Sequence, residues 1–488
     1  MSASLWYASA STLLLSLATH RLGIPLAHRF GLLDVPNPRK VHARATPIVG
    51  GICILLASLG GLSLYLALDP AFWTKNQASL LTLLFCVSLL ISVGVVDDVK
   101  GLGPRPKMGF QALAAIACLA FEPHVHQFCL NWQTVMGPII WPAAAIWLIG
   151  ITNAVNLIDG LDGLAGGTSL LVCSSILLLN LTNGSDYPPT VLMALLIPAV
   201  FSFLTVNWNP ARMFLGDNGS LTLGFLIASS SLMVRPSFDI STSWIASATV
   251  LLMMGYPILD MGLAVRRRYQ KGLPLFKADR NHLHYRIQRL GLSVRETSSL
   301  LLSISFYLQI AALALNFVSP WIAALGIGLS FLSIFSMLYV IRAIEKSRVA
   351  KLSAEHAPTP GTSNVIRLDP GYHVLNIELA PLYEVGLMEE RVRCGNLVQS
   401  LEAMVKAMVR STDEVVRSHD RLSIILRESL DTDASRKLLI ERFSKKLEKF
   451  SELMELQTSL SSLPITLSRD PSVRVLTGNQ DNTQDNRR

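Results

Sequence analysis

The sequence predicts an all-α polytopic membrane protein with about eleven transmembrane helices, its N-terminus outside, followed by a cytoplasmic helical C-terminal extension. Three observations carry this. The 488 residues are 51% hydrophobic and only 16% charged, with a mean hydropathy of +0.43, a balance foreign to a water-soluble core. Apolar segments long enough for spans recur at roughly 3–26, 48–68, 78–96, 108–121, 137–155, 165–182, 188–206, 220–235, 243–264, 298–317 and 321–341. With the N-terminus outside, 18 of the 21 Lys and Arg before residue 343 fall in inside loops, against Lys75 and Arg235 outside and Arg21 undecided. That asymmetry is the one the positive-inside rule demands.

Taken in order, the first segment lacks a basic leader region and reads as a span with an exported N-terminus, not a cleaved signal. Residues 1–342 form the membrane domain, and 343–371, with Pro, Ser, Thr and Gly around His356–Asn364, a linker. In 372–463, Val374, Ile377 and Leu379 mark a short strand. Leu397, Leu401, Met404, Met408, Val415, Leu422 and Ile425, then Phe443, Leu447, Phe450 and Met454, keep a 3–4 spacing. A coiled-coil-like helical hairpin follows, able to pair with a second copy of the chain or a cytoplasmic partner. Residues 464–488, rich in Asn, Asp, Gln and Arg, read as disordered. The six cysteines form no C-x-x-C pair, so neither zinc nor a disulfide framework is expected. After residue 342 basic and acidic residues balance, 21 of each, so the net charge of +8 serves membrane topology and anionic ligands; no nucleic-acid partner is implied.

Six aspartates, Asp97, Asp98, Asp159, Asp162, Asp217 and Asp260, stand at or just past the ends of apolar segments. A carboxylate at membrane depth costs about 2.5 kcal/mol or more, which marks such residues as functional. The topology puts all six on the inside face, where they can build one site for a hard cation. Their surroundings form five blocks. Asp34-Val35-Pro36-Asn37-Pro38-Arg39-Lys40-Val41-His42 is held extended by prolines and offers donors to an anion, though a plain positive-inside loop reads the same way. Asp97-Asp98 precedes Gly101, Gly103 and Lys107, and adjacent carboxylates repel unless a cation or proton sits between them. Asn153-Ala154-Val155-Asn156-Leu157-Ile158-Asp159-Gly160-Leu161-Asp162-Gly163 spaces Asn156, Asp159 and Asp162 three apart, aligned on a helical end. Its spacing, with no terminal Glu, rejects a calcium EF-hand. Asn207-Trp208-Asn209-Pro210-Ala211-Arg212-Met213-Phe214-Leu215-Gly216-Asp217-Asn218-Gly219-Ser220 sets Asp217 at a helix N-terminus, a phosphate seat. Asp279-Arg280-Asn281-His282-Leu283-His284-Tyr285 lacks the third ligand a zinc site needs and fits phosphate or nucleotide contacts better.

The five blocks, in this order and on one face, resemble the polyprenyl-phosphate N-acetylhexosamine-1-phosphate transferase family, glycosyltransferase family 4, over roughly residues 20–300. N-x-x-N-x-x-D-G-x-D-G-L-A and F-x-G-D-x-G-S are its most specific parts. His282-Leu283-His284 is similar to the H-I-H-H signature of the UDP-N-acetylglucosamine branch, with Tyr285 where that signature ends in histidine. The resemblance implies transfer of an N-acetylhexosamine-1-phosphate, foremost N-acetylglucosamine-1-phosphate, from a UDP-amino sugar to undecaprenyl phosphate. UMP is released and a lipid-linked cell-envelope glycan is begun at the cytoplasmic face of a bacterial inner membrane. Another UDP-amino sugar or the muramoyl-pentapeptide donor is the alternative. A secondary transporter, from a different class, is disfavoured because the acids gather at one face and no repeat appears. By the same resemblance Mg²⁺, or Mn²⁺ in its place, is held by Asp217 and Asp98. Asp97, Asp98, Asp159 and Asp162 are catalytic, and Asn37, Arg39, Lys40, His42, Lys107, Asn156, Asn209, Arg212, His282 and His284 bind substrate.

Overall fold

Apolar segments become helices wherever the chain must satisfy its own backbone polar groups in lipid. The computed structural model describes residues 2–34, 45–181, 187–234, 243–270, 272–274 and 282–355, then the short pieces 365–366, 373–378, 414–417, 421–426, 441, 465–468 and 475–476. Two compact units result, Met1–Ile341 and Arg342–Arg488. The first holds helices α1 (Ala3–Phe30), α2 (Gly50–Leu68), α3 (Pro70–Lys100), α4 (Pro104–Phe121), α5 (Pro123–Met136), α6 (Ile140–Ile158), α7 (Leu164–Leu181), α8 (Pro188–Asn207), α9 (Gly216–Leu232), α10 (Ser243–Met253), α11 (Gly255–Gln270), α12 (Leu283–Arg289) and α13 (Val294–Ala314), and most of α14 (Pro320–Glu355). Among the described residues, seven helical stretches are long and apolar enough to cross a membrane: α2, α3, α5 with α6, α7, α8, α13 and α14; the bent pair α10–α11 makes an eighth. The protein is thus an α-helical, multi-pass membrane protein.

α9 lies at the centre, packed by α2, α3, α6 and α7. It is buried from Asn218 to Leu232, yet rich in Gly, Ser and Thr. Small residues let backbones approach in a bundle where the hydrophobic effect drives little. A Cβ on Gly51 would collide with the Gly219 backbone, and one on Gly94 with the Asn218 backbone. The hydroxyls of Thr222, Ser229 and Ser231 donate to carbonyls of α9 itself at 2.6, 3.2 and 2.7 Å. α6 is stitched to α9 near both ends, Asn156 Nδ2 donating to Ser220 Oγ at 2.9 Å and Trp147 Nε1 to Ser231 Oγ at 3.0 Å.

The segment expected as one span at 243–264 is broken: α10 and α11 meet at 74°. Pro257 has no N–H to offer the Met253 carbonyl four residues back. Gln309 Nε2 of α13 donates to that carbonyl instead, at 2.8 Å. Pro198 inside α8 frees the Ala194 carbonyl in the same way, and Ser9 Oγ of α1 donates to it at 3.0 Å.

Three expectations beyond the bundle are corrected. The helical reading fails at 414–426, where β5 (Glu414–Arg417) and β6 (Arg421–Leu426) are strands. With β4 (His373–Glu378) and β7 (Ile465–Ser468) they form an antiparallel sheet ordered β5-β6-β4-β7. Val415, Leu422 and Ile425 fit a 3–4 spacing, but Leu422, Ile424 and Leu426 alternate, and paired valines and isoleucines favour the pleat. β4 coincides with the strand expected at Val374 and Ile377. The tail read as disordered contributes β7 and Val475–Leu476, which pairs with Val365–Ile366. The linker read from 343 begins as helix, since α14 continues on Ala, Glu, Lys and Leu to Glu355 before Pro358 and Pro360. The expected helices at 397–413 and 443–454 lie outside the described residues.

Candidate active site

The N-terminus of α9 gathers the acidic blocks. Gly216, at φ +74°, turns the chain into α9 and leaves the first backbone N–H groups needing partners. Asp98, in the last turn of α3, supplies them: Oδ1 accepts the Asp217 N–H at 2.9 Å, and Oδ2 accepts the Asn218 N–H at 3.1 Å and Asn218 Nδ2 at 2.6 Å. Asn218 in turn receives the Ile52 N–H at 3.0 Å and donates to the Ile48 carbonyl at 2.9 Å. Asp98 therefore caps a neighbouring helix with both oxygens.

One residue earlier, Asp97 faces the other way. Its Oδ1 accepts the Leu102 N–H at 2.5 Å, closing the turn at Gly101, and its Oδ2 receives Lys107 Nζ at 2.9 Å. Lys107 Nζ also reaches Asp217 Oδ2 at 2.8 Å. Asp97 and Asp217 lie within hydrogen-bonding range of each other. Two carboxylates so placed call for positive charge between them. Lys107 supplies one cation; both acids and the ammonium keep partial exposure, 12, 25 and 23%, so ligand can reach them.

The turn after α6 closes the group. Asn156 bonds Ser220 and stands beside Asp217. Asp159 caps the C-terminal end of α6 and keeps some solvent contact. Enclosure by protein, and then the charges of Asp217, Asp98 and Asp162, push its carboxyl well above the usual range. Asp162 is engaged elsewhere, its Oδ2 accepting Asn209 Nδ2 at 2.8 Å and the Ala211 N–H at 3.0 Å, which pins the 208–212 loop. Asn209, expected to bind substrate, is that pin. Arg212, also expected there, is exposed and its guanidinium folds onto the Thr205 carbonyl at 3.4 Å.

His282 and His284 begin the short helix α12. His282 Nδ1 lies 2.8 Å from Asp260 Oδ2, and the His284 ring meets Gly160 beside Asp159. Burial drops the His284 imidazole to about 4, so it is neutral at physiological pH. Asn37, Arg39, Lys40 and His42 lie outside the described residues. The described residues on either side of them are fixed, however: Leu33–Asp34 pairs antiparallel with Thr46–Pro47, and the Phe214 N–H donates to the Pro47 carbonyl at 2.7 Å, two residues before α9.

Sequence reasoning missed Asn218, the Gln111–Asn153 amide pair (Nδ2 to Oε1, 2.5 Å) joining α4 to α6, and the part played by Asp260. Gln111 lies one turn beyond Lys107 and Asn153 one turn before Asn156, a spacing that could have found them.

Among the described residues no three acidic, His or Cys side chains converge as a metal cage. Asp97 and Asp217, with Asn156 beside them, are a donor set suited to Mg²⁺, which takes one or two carboxylates and completes its shell with water and substrate phosphate.

The description "Glycosyl transferase family 4" belongs to the family profile that matches residues 80–235. The chain is 31% identical over 301 residues to a probable undecaprenyl-phosphate N-acetylglucosaminyl 1-phosphate transferase of Bacillus subtilis (strain 168), covering 61% of this chain and 81% of that protein. It is 29% identical over 300 residues to a decaprenyl-phosphate N-acetylglucosaminephosphotransferase of Mycobacterium tuberculosis (strain ATCC 25618 / H37Rv), covering 55% and 72%. With an undecaprenyl-phosphate alpha-N-acetylglucosaminyl 1-phosphate transferase of Escherichia coli (strain K12), identity is 27% over 310 residues, covering 61% and 81%.

Proposed function

The chain belongs to glycosyl transferase family 4, and from that membership and the geometry at α9 we propose that it transfers N-acetylglucosamine-1-phosphate from UDP-N-acetylglucosamine to undecaprenyl phosphate. The bacterial relatives and the basic inside loops support a site at the cytoplasmic face of the inner membrane. The lipid-linked product would begin a cell-envelope glycan.

One observation carries the reading: Lys107 joins Asp97 of α3 to Asp217 of α9 beside the Asn156–Asp159 end of α6. An oxygen of the lipid phosphate forms a bond to the sugar-bearing phosphorus, and the bond from that phosphorus to UMP breaks, UMP leaving with the electron pair. The attacking phosphate, with a second pKa near about 6, is largely a dianion and needs no strong base. The obstacle is repulsion between two anions. Mg²⁺, held by Asp217 and Asp97, would neutralise diphosphate charge and stabilise the leaving UMP. Lys107 offers a second cation at the same place, and its two acidic partners set its direction. The α9 N-terminus adds its backbone dipole. Asp98 keeps that terminus in position, and Asp162 pins the 208–212 loop.

Purified protein in bilayer discs, given undecaprenyl phosphate, Mg²⁺ and a panel of UDP-sugars, is expected to form lipid-linked N-acetylglucosamine and an equal amount of UMP. EDTA should stop the reaction and Mg²⁺ or Mn²⁺ restore it. UMP release without lipid product, or full turnover in EDTA, contradicts the proposal.

A further inference from the structure

Asp260, the sixth inward aspartate, has no place in the reaction above, and its surroundings assign it one. It lies on α11 beyond the bend at Met254 and is wholly buried. One stretch of chain engages both its oxygens: Oδ1 accepts the Leu283 N–H at 2.6 Å and Oδ2 meets His282 Nδ1 at 2.8 Å. A carboxylate can only accept, so His282 carries a proton on Nδ1, and a ring protonated there alone presents a lone pair at Nε2. The rings of His282 and His284 stack in parallel, centroids 5.7 Å apart and planes within 6°. His284 is fully enclosed; among the described residues its ring nitrogens have no hydrogen-bond partner. It abuts Gly160 so closely that a Cβ there would stand 2.7 Å from Nε2. A line of contacts thus runs from Asp260 through His282 and His284 to the turn carrying Asp159 and Asp162.

We propose that Asp260 is a positioning residue, which fixes His282 in its Nδ1-protonated tautomer and seats the histidine pair against the Asp159–Asp162 turn, leaving His282 Nε2 to accept a hydroxyl of the donor sugar. This rests on the reading of the site as a UDP-sugar transferase. No other group among the described residues fixes that tautomer by a direct bond, and the Leu283 contact ties ring orientation to the start of α12.

Asp260→Asn separates geometry from tautomer. The amide oxygen can still accept the Leu283 N–H, while its NH₂ would donate to His282 Nδ1 and drive the proton to Nε2, turning an acceptor into a donor. Imidazole ¹⁵N spectra of the full chain in bilayer discs, without substrate, should include a protonated Nδ1 signal that vanishes in His282→Gln, which assigns it, and that moves to Nε2 in Asp260→Asn. In assays, Asp260→Asn should lower kcat/KM for the UDP-sugar about 10- to 100-fold, by analogy with the loss of the carboxylate behind a metal-bound histidine, mainly through KM. It should add nothing in a His282→Gln background. An unchanged His282 Nδ1 signal in Asp260→Asn, or losses that multiply in the double variant, overturns the proposal. If the wild type transfers no sugar phosphate, the proposed reaction fails, while the substrate-free spectra still decide the role of Asp260.

Discussion

Lys107, Asp97 and Asp217 form the smallest unit of the proposed transfer site, and neighbouring acids with different partners should fail differently. Asp217→Asn removes a charge that faces ligand, so UMP release should fall by about 100-fold or more while the protein still accumulates and melts normally. Asp98→Ala removes the cap of α9 and should cost about 1–2 kcal/mol of stability as well as activity, visible as a lowered melting temperature in detergent. Equal melting temperatures for the two variants would contradict this division. Asp159 gives a pH signature. Its carboxyl sits well above the usual range because enclosure and like charges favour the neutral form in the fold. The folded protein therefore binds more protons there than the unfolded chain, and stability is lost as pH rises from the ordinary carboxylate range through the raised value. In EDTA, the melting temperature should fall across that window, Asp159→Asn should flatten the fall, and added Mg²⁺ should oppose it. The acids themselves were legible in the sequence, since charge is conspicuous among apolar spans. Their division of labour was not: nothing in Asp97-Asp98 tells which one turns to Lys107 and which to the α9 backbone, because that depends on where a distant helix begins.

At the scale of elements, α9 shows why some of the bundle could be read and some could not. Hydropathy located it at 220–235, close to Gly216–Leu232, but not as the central helix, because small and hydroxylated residues lower its apolarity. Its Gly and Ser content makes sense only beside Gly51 and Gly94. Gly94→Ala places a methyl against the Asn218 backbone and displaces the residue Asp98 holds. A stability loss of about 1–3 kcal/mol is expected, with falling activity, measured by thermal unfolding and UMP release on the same preparation. Gly109→Ala, where a Cβ meets nothing within 4 Å, is the matched control and should melt like wild type. The bend at Met254 was written in Gly255 and Pro257, yet a long apolar run concealed it, and the Gln309 side chain that tolerates it comes from another helix.

Across the whole molecule, the two units differ in how well sequence foretold them, and the reason is physical. Lipid enforces helices, so in Met1–Ile341 apolar length is almost sufficient to place them. Water enforces nothing comparable in Arg342–Arg488, where a 3–4 spacing and an alternation overlap in Val415–Ile425 and the sheet prevails through partners more than forty residues away, as in the register of Val374 with Ile425. Every residue assigned to the reaction, from Asp97 to His284, belongs to the first unit. A chain ending after Glu355, which keeps α14 whole, should therefore insert and transfer sugar phosphate within about twofold of the full-length rate, as expected of chemistry housed in a separate domain. If the second unit pairs copies of the chain or recruits a cytoplasmic protein, the same truncation should change the mass of the purified complex or the fate of its product in cells, with turnover in discs preserved. The assay should be run with both forms in the same lipid, scoring UMP per folded protein. A truncated protein that melts as the full chain does yet releases no UMP would place part of the site in the second unit and dissolve this separation of chemistry from assembly.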